Sequence, residues 1–204
     1  MKTRKIKINI KTINDLTIKE YRDILHINET EQDGWNKNLK IIGLLTDLSE
    51  EELRGYDHES VAGLLGVCNE ILSRQPEPVK SMKPFKLNGR RYGFDLNLDK
   101  MATGQFVDLD NFSKEPIKNL HILSAILWRP VKGLFNKTIT EYDSGDVMDR
   151  SKLFEDRLTM DKAVTAAFFL LNLKRVSIED TQVSLELMRS ILEKRRNRLK
   201  KGGN

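Results

Sequence analysis

Three histidines (His26, His58 and His121), a single cysteine (Cys68) and an acidic run holding Asp143, Asp146 and Asp149 are the side chains whose types could do chemistry here. The histidines have no metal-ligand spacing such as His-x-x-x-His, and Cys68 has no ligand-like neighbour, so the pattern makes no zinc site. EYDSGDVMD (141–149) gathers hard oxygen ligands but lacks the alternation and closing glutamate of a calcium loop, and it reads as a solvated loop. His121 lies in an apolar stretch and reads as a structural, hydrogen-bonded histidine. No G-x-G-x-x-G, P-loop or nucleophile elbow is present, and Gly104 reads as the tight opening of a helix. These residues argue for no enzyme, no metal and no cofactor. Trp35 opens one apolar helix and Trp128, followed by Arg129, closes another; both tryptophans read as core or interface anchors, because the indole supplies a large contact area.

The elements that must position these residues follow from pattern and punctuation. Self-similarity comes first. Leu16 to Ile24, LTIKEYRDI, aligns with Met101 to Leu109, MATGQFVDL; NLKIIGLLT (38–46) aligns with NLHILSAIL (119–127); HESVAGLLG (58–66) aligns with DKAVTAAFF (161–169). The order is the same in both halves, and each half follows an alternating segment, KIKINI or RRYGFDLNL, whose period of two suits a strand. The expected unit is strand, short helix, apolar helix, loop and third helix, present twice. Thr17 with Glu20, Ser49 with Glu52 and Ser177 with Asp180 are capping-box pairs; Ala102 leaves the second copy without a cap hydroxyl. Leu39, Ile42 and Leu45 form an inner face, while Ile41 and Leu44 make that helix apolar nearly all round, which implies burial or a subunit contact.

Between the halves, RQPEPVKSMKP (74–84) has three prolines and cannot be helix interior. Asn88-Gly89 between alternating segments predicts a two-residue type I′ hairpin, which the N-terminal strand could join as a third strand. Ile178, Leu185, Leu192 and Leu199 recur every seven residues and predict a long last helix. The expected organisation is a first repeat at 1–75, a proline-rich linker at 76–84, the hairpin and second repeat at 85–175, and a long C-terminal helix with a basic tail at 176–204. The fold class is mainly α with a small antiparallel sheet, α+β.

Charge divides unevenly. The net charge is +5, yet residues 1–11 and 194–201 hold eleven Lys or Arg and no acid, leaving 24 basic against 30 acidic residues elsewhere, about −6. The second run is Lys194, Arg195, Arg196, Arg198, Lys200 and Lys201, expected to meet phosphates or an acidic partner. With 39% apolar and 32% charged residues, no span long enough for a bilayer and an N-terminal apolar stretch too short for a signal peptide, a cytosolic product without a membrane is expected.

The repeated LTIKEYRDI and MATGQFVDL segments, NLKIIGLLTDLSEEEL, the Asn-Gly hairpin and NLHILSAILWRP together resemble a family of small virion or assembly proteins of tailed bacteriophages, those of the crAss-like phages that infect gut Bacteroidetes. The resemblance covers about residues 14 to 170. It implies a non-enzymatic component of the head-to-tail region: a ring-forming connector, a cyclic homo-oligomer that binds the portal and neighbouring tail proteins. It places the protein in the virion, and in the host cytoplasm during assembly. The basic ends would touch packaged DNA non-specifically. The alternatives are a tail assembly chaperone absent from the mature virion and a non-specific nucleic-acid-binding protein. Ala102 and the basic C-terminal run depart from the pattern.

Overall fold

The computed structural model describes residues 8–94, 101–132 and 138–170. In chain order these form α1 (Ile18–Thr30), α2 (Gly34–Thr46), α3 (Glu50–Arg54), α4 (His58–Leu72), β1 (Phe85–Leu87), β2 (Arg90–Phe94), α5 (Thr103–Phe112), α6 (Leu120–Leu127), β3 (Trp128–Lys132), β4 (Thr138–Ile139), α7 (Ser144–Arg157) and a last helix, α8, over 160–170. The chain is mainly helical with a small antiparallel sheet of order β1-β2-β3-β4. Residues through Ala167 cluster as one unit and 168–204 as a second, of which 168–170 are described. The C-terminal helix over 176–204, its Ser177–Asp180 cap and the cations from Lys194 to Lys201 lie outside the described residues.

Helix starts follow local chemistry. Thr17 and Ser49 form reciprocal capping boxes with Glu20 and Glu52. Asp33 and Asp57 cap α2 and α4, while Ala102 gives α5 no side-chain cap. The acidic run expected as a solvated loop is instead the start of α7. Asp143 is its N-cap and accepts from the Gly145 amide at 2.9 Å, and Asp146 sits in the first turn, where the helix dipole favours a carboxylate.

The Asn-Gly turn is as expected. Asn88 and Gly89 both have positive φ, 45° and 78°, and Leu87 faces Arg90 across a two-residue loop. The third strand is not N-terminal: residues 8–12 form no strand, and 1–7 lie outside the described residues. It comes from Trp-Arg-Pro. Pro130 cannot continue α6 and biases Arg129 towards extended backbone, so the helix passes straight into β3 and pairs with β2 through Phe94↔Trp128 and Tyr92↔Pro130.

The core is built around α6, whose residues from Ile122 to Leu127 are all buried, with Leu16, Ile18, Leu39, Ile42, Leu45, Phe154 and Leu158 around it. The two halves share this core. Ile18 N–H donates to the Leu158 carbonyl at 3.1 Å and Met160 N–H to the Leu16 carbonyl at 2.8 Å, stitching the start of α1 to the α7–α8 junction. Arg22 on α1 pairs with Glu155 on α7 at 2.6 Å. Lys11 clamps Glu20 at 2.9 Å and the left-handed C-cap residue Asp47 at 2.6 Å. The proline-rich segment is not a helix and is tied down at Glu77 and Val79. Glu77 N–H donates to Asn14 Oδ1 and Val79 N–H to Thr165 Oγ1, each at 2.9 Å. The halves differ in what separates their second and third aligned helices: α3 in the first, β3, β4 and α7 in the second.

Candidate interaction surfaces

Of the three anchors expected from sequence, the fold leaves one at the surface. Trp128 is 1% exposed and lies edge-on to Phe85 and Phe94, with ring centroids 5.0 and 4.7 Å away, while its indole N–H donates to the Lys162 carbonyl at 3.1 Å. Arg129 beside it is 7% exposed. Of the two readings, core or interface, burial fits the first for Trp128, and Arg129 lies buried beside it, because β3 is an inner strand of the sheet. Trp35 is 38% exposed and stacks nearly parallel on His58, 5.0 Å away.

That stack sits at the start of α4, a helix that leaves most of its surface uncovered. Of its fifteen residues, HESVAGLLGVCNEIL, only Val61 and Cys68 are buried. Ala62, Gly63, Gly66 and Val67 form one exposed face at helical spacing, flanked by exposed Glu59 and Glu70. A Cβ added at Gly63 or Gly66 would meet nothing within 4 Å, so the chain's own packing does not require glycine there. The surrounding surface is acidic: residues 12–77 carry 14 Asp or Glu against six Lys or Arg, a net of −8.

An open groove of about 1650 Å³ lies on the other side of the chemistry, lined by the hairpin, β3 and the first turns of α5 and α7. Lys86, Arg90, Arg91 and Lys132 line it together with Asp108, Glu141, Asp143 and Asp146, four cations and four carboxylates. Gly93 makes room for the Val131 and Ile139 side chains of β3 and β4, since a Cβ there would sit 3.0 Å from Val131 Cγ2. Tyr142 donates its hydroxyl to Asp108. Burial, then this hydrogen bond, pushes the phenol well above its ordinary range, so Tyr142 remains a proton donor and cannot serve as a base near neutrality. Arg150 spends its Nε–H on the Ala125 carbonyl at 2.9 Å, fastening α7 to α6.

His121 is not the satisfied histidine expected. Its Nδ1 is buried with no hydrogen-bond partner among the described residues, and burial lowers its pKa, with Arg22 adding to the shift and Glu155 opposing it. Among the described residues no group of three or more His, Cys, Asp or Glu side chains is placed to hold a metal ion, and no helix is long and apolar enough to cross a membrane. Sequence reading missed the hairpin cations, although residues 78–94 contain five Lys or Arg and no acid. It also missed the uncovered face of α4, whose glycines were the available signal. Comparison with protein-family models, with curated proteins and with solved structures finds no match to the chain.

Proposed function

We propose that the protein is a non-enzymatic assembly subunit that joins copies of itself head-to-tail into a closed ring at the head-to-tail junction of a tailed phage, where it contacts the portal and neighbouring tail proteins. The observation that carries the protein-binding part is the uncovered face of α4 beside Trp35. An apolar helix with two buried residues out of fifteen is poorly used by its own chain, and a partly exposed tryptophan is the residue type that most often anchors a contact. The acidic ground around this face complements the basic runs of a neighbouring copy, which favours a heterologous interface between unlike surfaces over a two-fold one. The phage setting rests on the resemblance of the repeated helix starts and the two Asn-Leu segments.

Class averages of the purified chain test the ring: closed particles of one rotational order support it, and open strings or single copies contradict it. Mass spectrometry of purified virions separates a connector from a tail assembly chaperone. A connector is present in stoichiometric amount; a chaperone is missing from the finished particle.

A further inference from the structure

We infer that the β1–β2 hairpin is a track for a nucleic-acid backbone, a site distinct from the terminal basic runs and independent of the ring reading. Lys83, Lys86, Arg90, Arg91 and Lys132 are all exposed and none makes an ion pair among the described residues. Lys37, Lys80, Lys114 and Arg157 are likewise without an ion pair among the described residues, but they are not gathered on one ribbon. Lys11, Lys19, Arg22, Lys40, Arg54, Arg74, Lys118, Lys152 and Lys162 each have a carboxylate within 4 Å.

Register sharpens the point. Lys86 is the direct cross-strand partner of Arg91, and like charges directly opposite one another destabilise a hairpin. Among the described residues no carboxylate pairs with either cation; phosphates would relieve the repulsion. The positive φ turn at Asn88-Gly89 fixes the two strands so that the cations stand on a stiff ribbon rather than a loose loop.

The partner's class follows from what the surface lacks. A protein interface is built around buried aromatic or aliphatic anchors, and the apolar residues lining this groove are Ala102, Val107, Pro130 and Val131. Surfaces that grip nucleic acid are instead polar and strongly positive, and backbone contacts need no base readout. Lys86 and Arg91 share one face of the hairpin, with Lys83 and Arg90 next to them along the chain, more positive charge than one small anion needs. Asp108 and Asp143, which also line the groove, already accept from Tyr142 and the Gly145 amide.

Fluorescence anisotropy with a mixed-sequence DNA duplex, titrated over salt in the full chain, tests the inference. Each phosphate contact contributes about 0.9 to the slope of log K against log salt. Lys86→Ala/Arg90→Ala/Arg91→Ala should therefore make the slope shallower by about 2 to 3 and weaken low-salt binding by at least about tenfold, while the melting temperature does not fall. Lys132→Ala, outside the hairpin, should remove a slope of about 0.9 by itself. A control that neutralises the paired cations Lys118 and Lys152 should leave the slope unchanged. The inference is overturned if the hairpin variant keeps the wild-type slope, or if the control lowers it equally. It is also overturned if the hairpin variant loses self-association and not DNA binding, which would assign the ribbon to a protein neighbour. Because DNA affinity and oligomer mass are read separately, failure of this site leaves the ring reading standing, and the reverse.

Discussion

The two tryptophans separate stability from recognition more cleanly than any other residues. Trp128 fills the space between sheet and helices and its indole N–H is satisfied, so Trp128→Ala should cost about 3–5 kcal/mol, measured as a lower urea midpoint. Trp35→Ala loses one stacked pair on a half-open surface and should cost about 1 kcal/mol or less, with its larger effect on assembly. His121 gives a pH signature. Burial keeps its folded pKa below the ordinary value of 6.5, so the unfolded chain binds that proton more readily. Its penalty is absent above that value and grows as pH falls through the window between the unfolded and folded pKa values. His121→Leu should therefore give a shallower loss of stability than wild type from about pH 7 down to about pH 5; parallel curves would contradict this. Sequence alone marked Trp35 and Trp128 as anchors and His121 as structural. It could not tell which tryptophan faces inward, because that depends on strand pairing across 34 or more residues.

At the scale of elements, capping chemistry decides more than propensity. Thr17→Ala should destabilise by about 1 kcal/mol through loss of its box with Glu20, and Ala102→Ser, at an extended N-cap with no side-chain bond, should recover a similar amount for α5. Gly63→Ala and Gly66→Ala each enter open space and should stabilise the isolated chain by up to about 1 kcal/mol. Gly43→Ala should do the opposite, since its Cβ would lie 2.9 Å from the Leu48 carbonyl oxygen. Thermal melts of the five variants check these signs. Caps, the Asn-Gly turn and the apolar stretch of α6 were legible because each is a local pattern with a local cause. The origin of β3 was not, since helix-to-strand conversion at Trp-Arg-Pro shows itself only when a hairpin edge is there to receive the strand. The α7 start was misread for a related reason: Asp and Gly serve loops and helix N-caps alike, and the choice here goes with the burial of Val147 and Phe154.

At the scale of the whole molecule, the described residues leave an apolar helix face on acidic ground and a ribbon of cations without ion pairs. A single chain gains nothing by keeping Ala62, Gly63, Gly66 and Val67 in water; a subunit meeting its neighbour does. The charge division was legible from sequence, but its arrangement was not. The terminal runs drew the reading outward, and the five cations of 78–94 gained meaning only when the hairpin set Lys86 opposite Arg91. The most direct test is mass photometry of the full chain beside Val67→Asp, which places a carboxylate on the exposed α4 face, where the side chain is 43% exposed. The account predicts one closed oligomer for the wild type, and single copies for the variant with an unchanged melting temperature. A wild type that stays monomeric at every concentration, or a variant that assembles as well as the wild type, would contradict it.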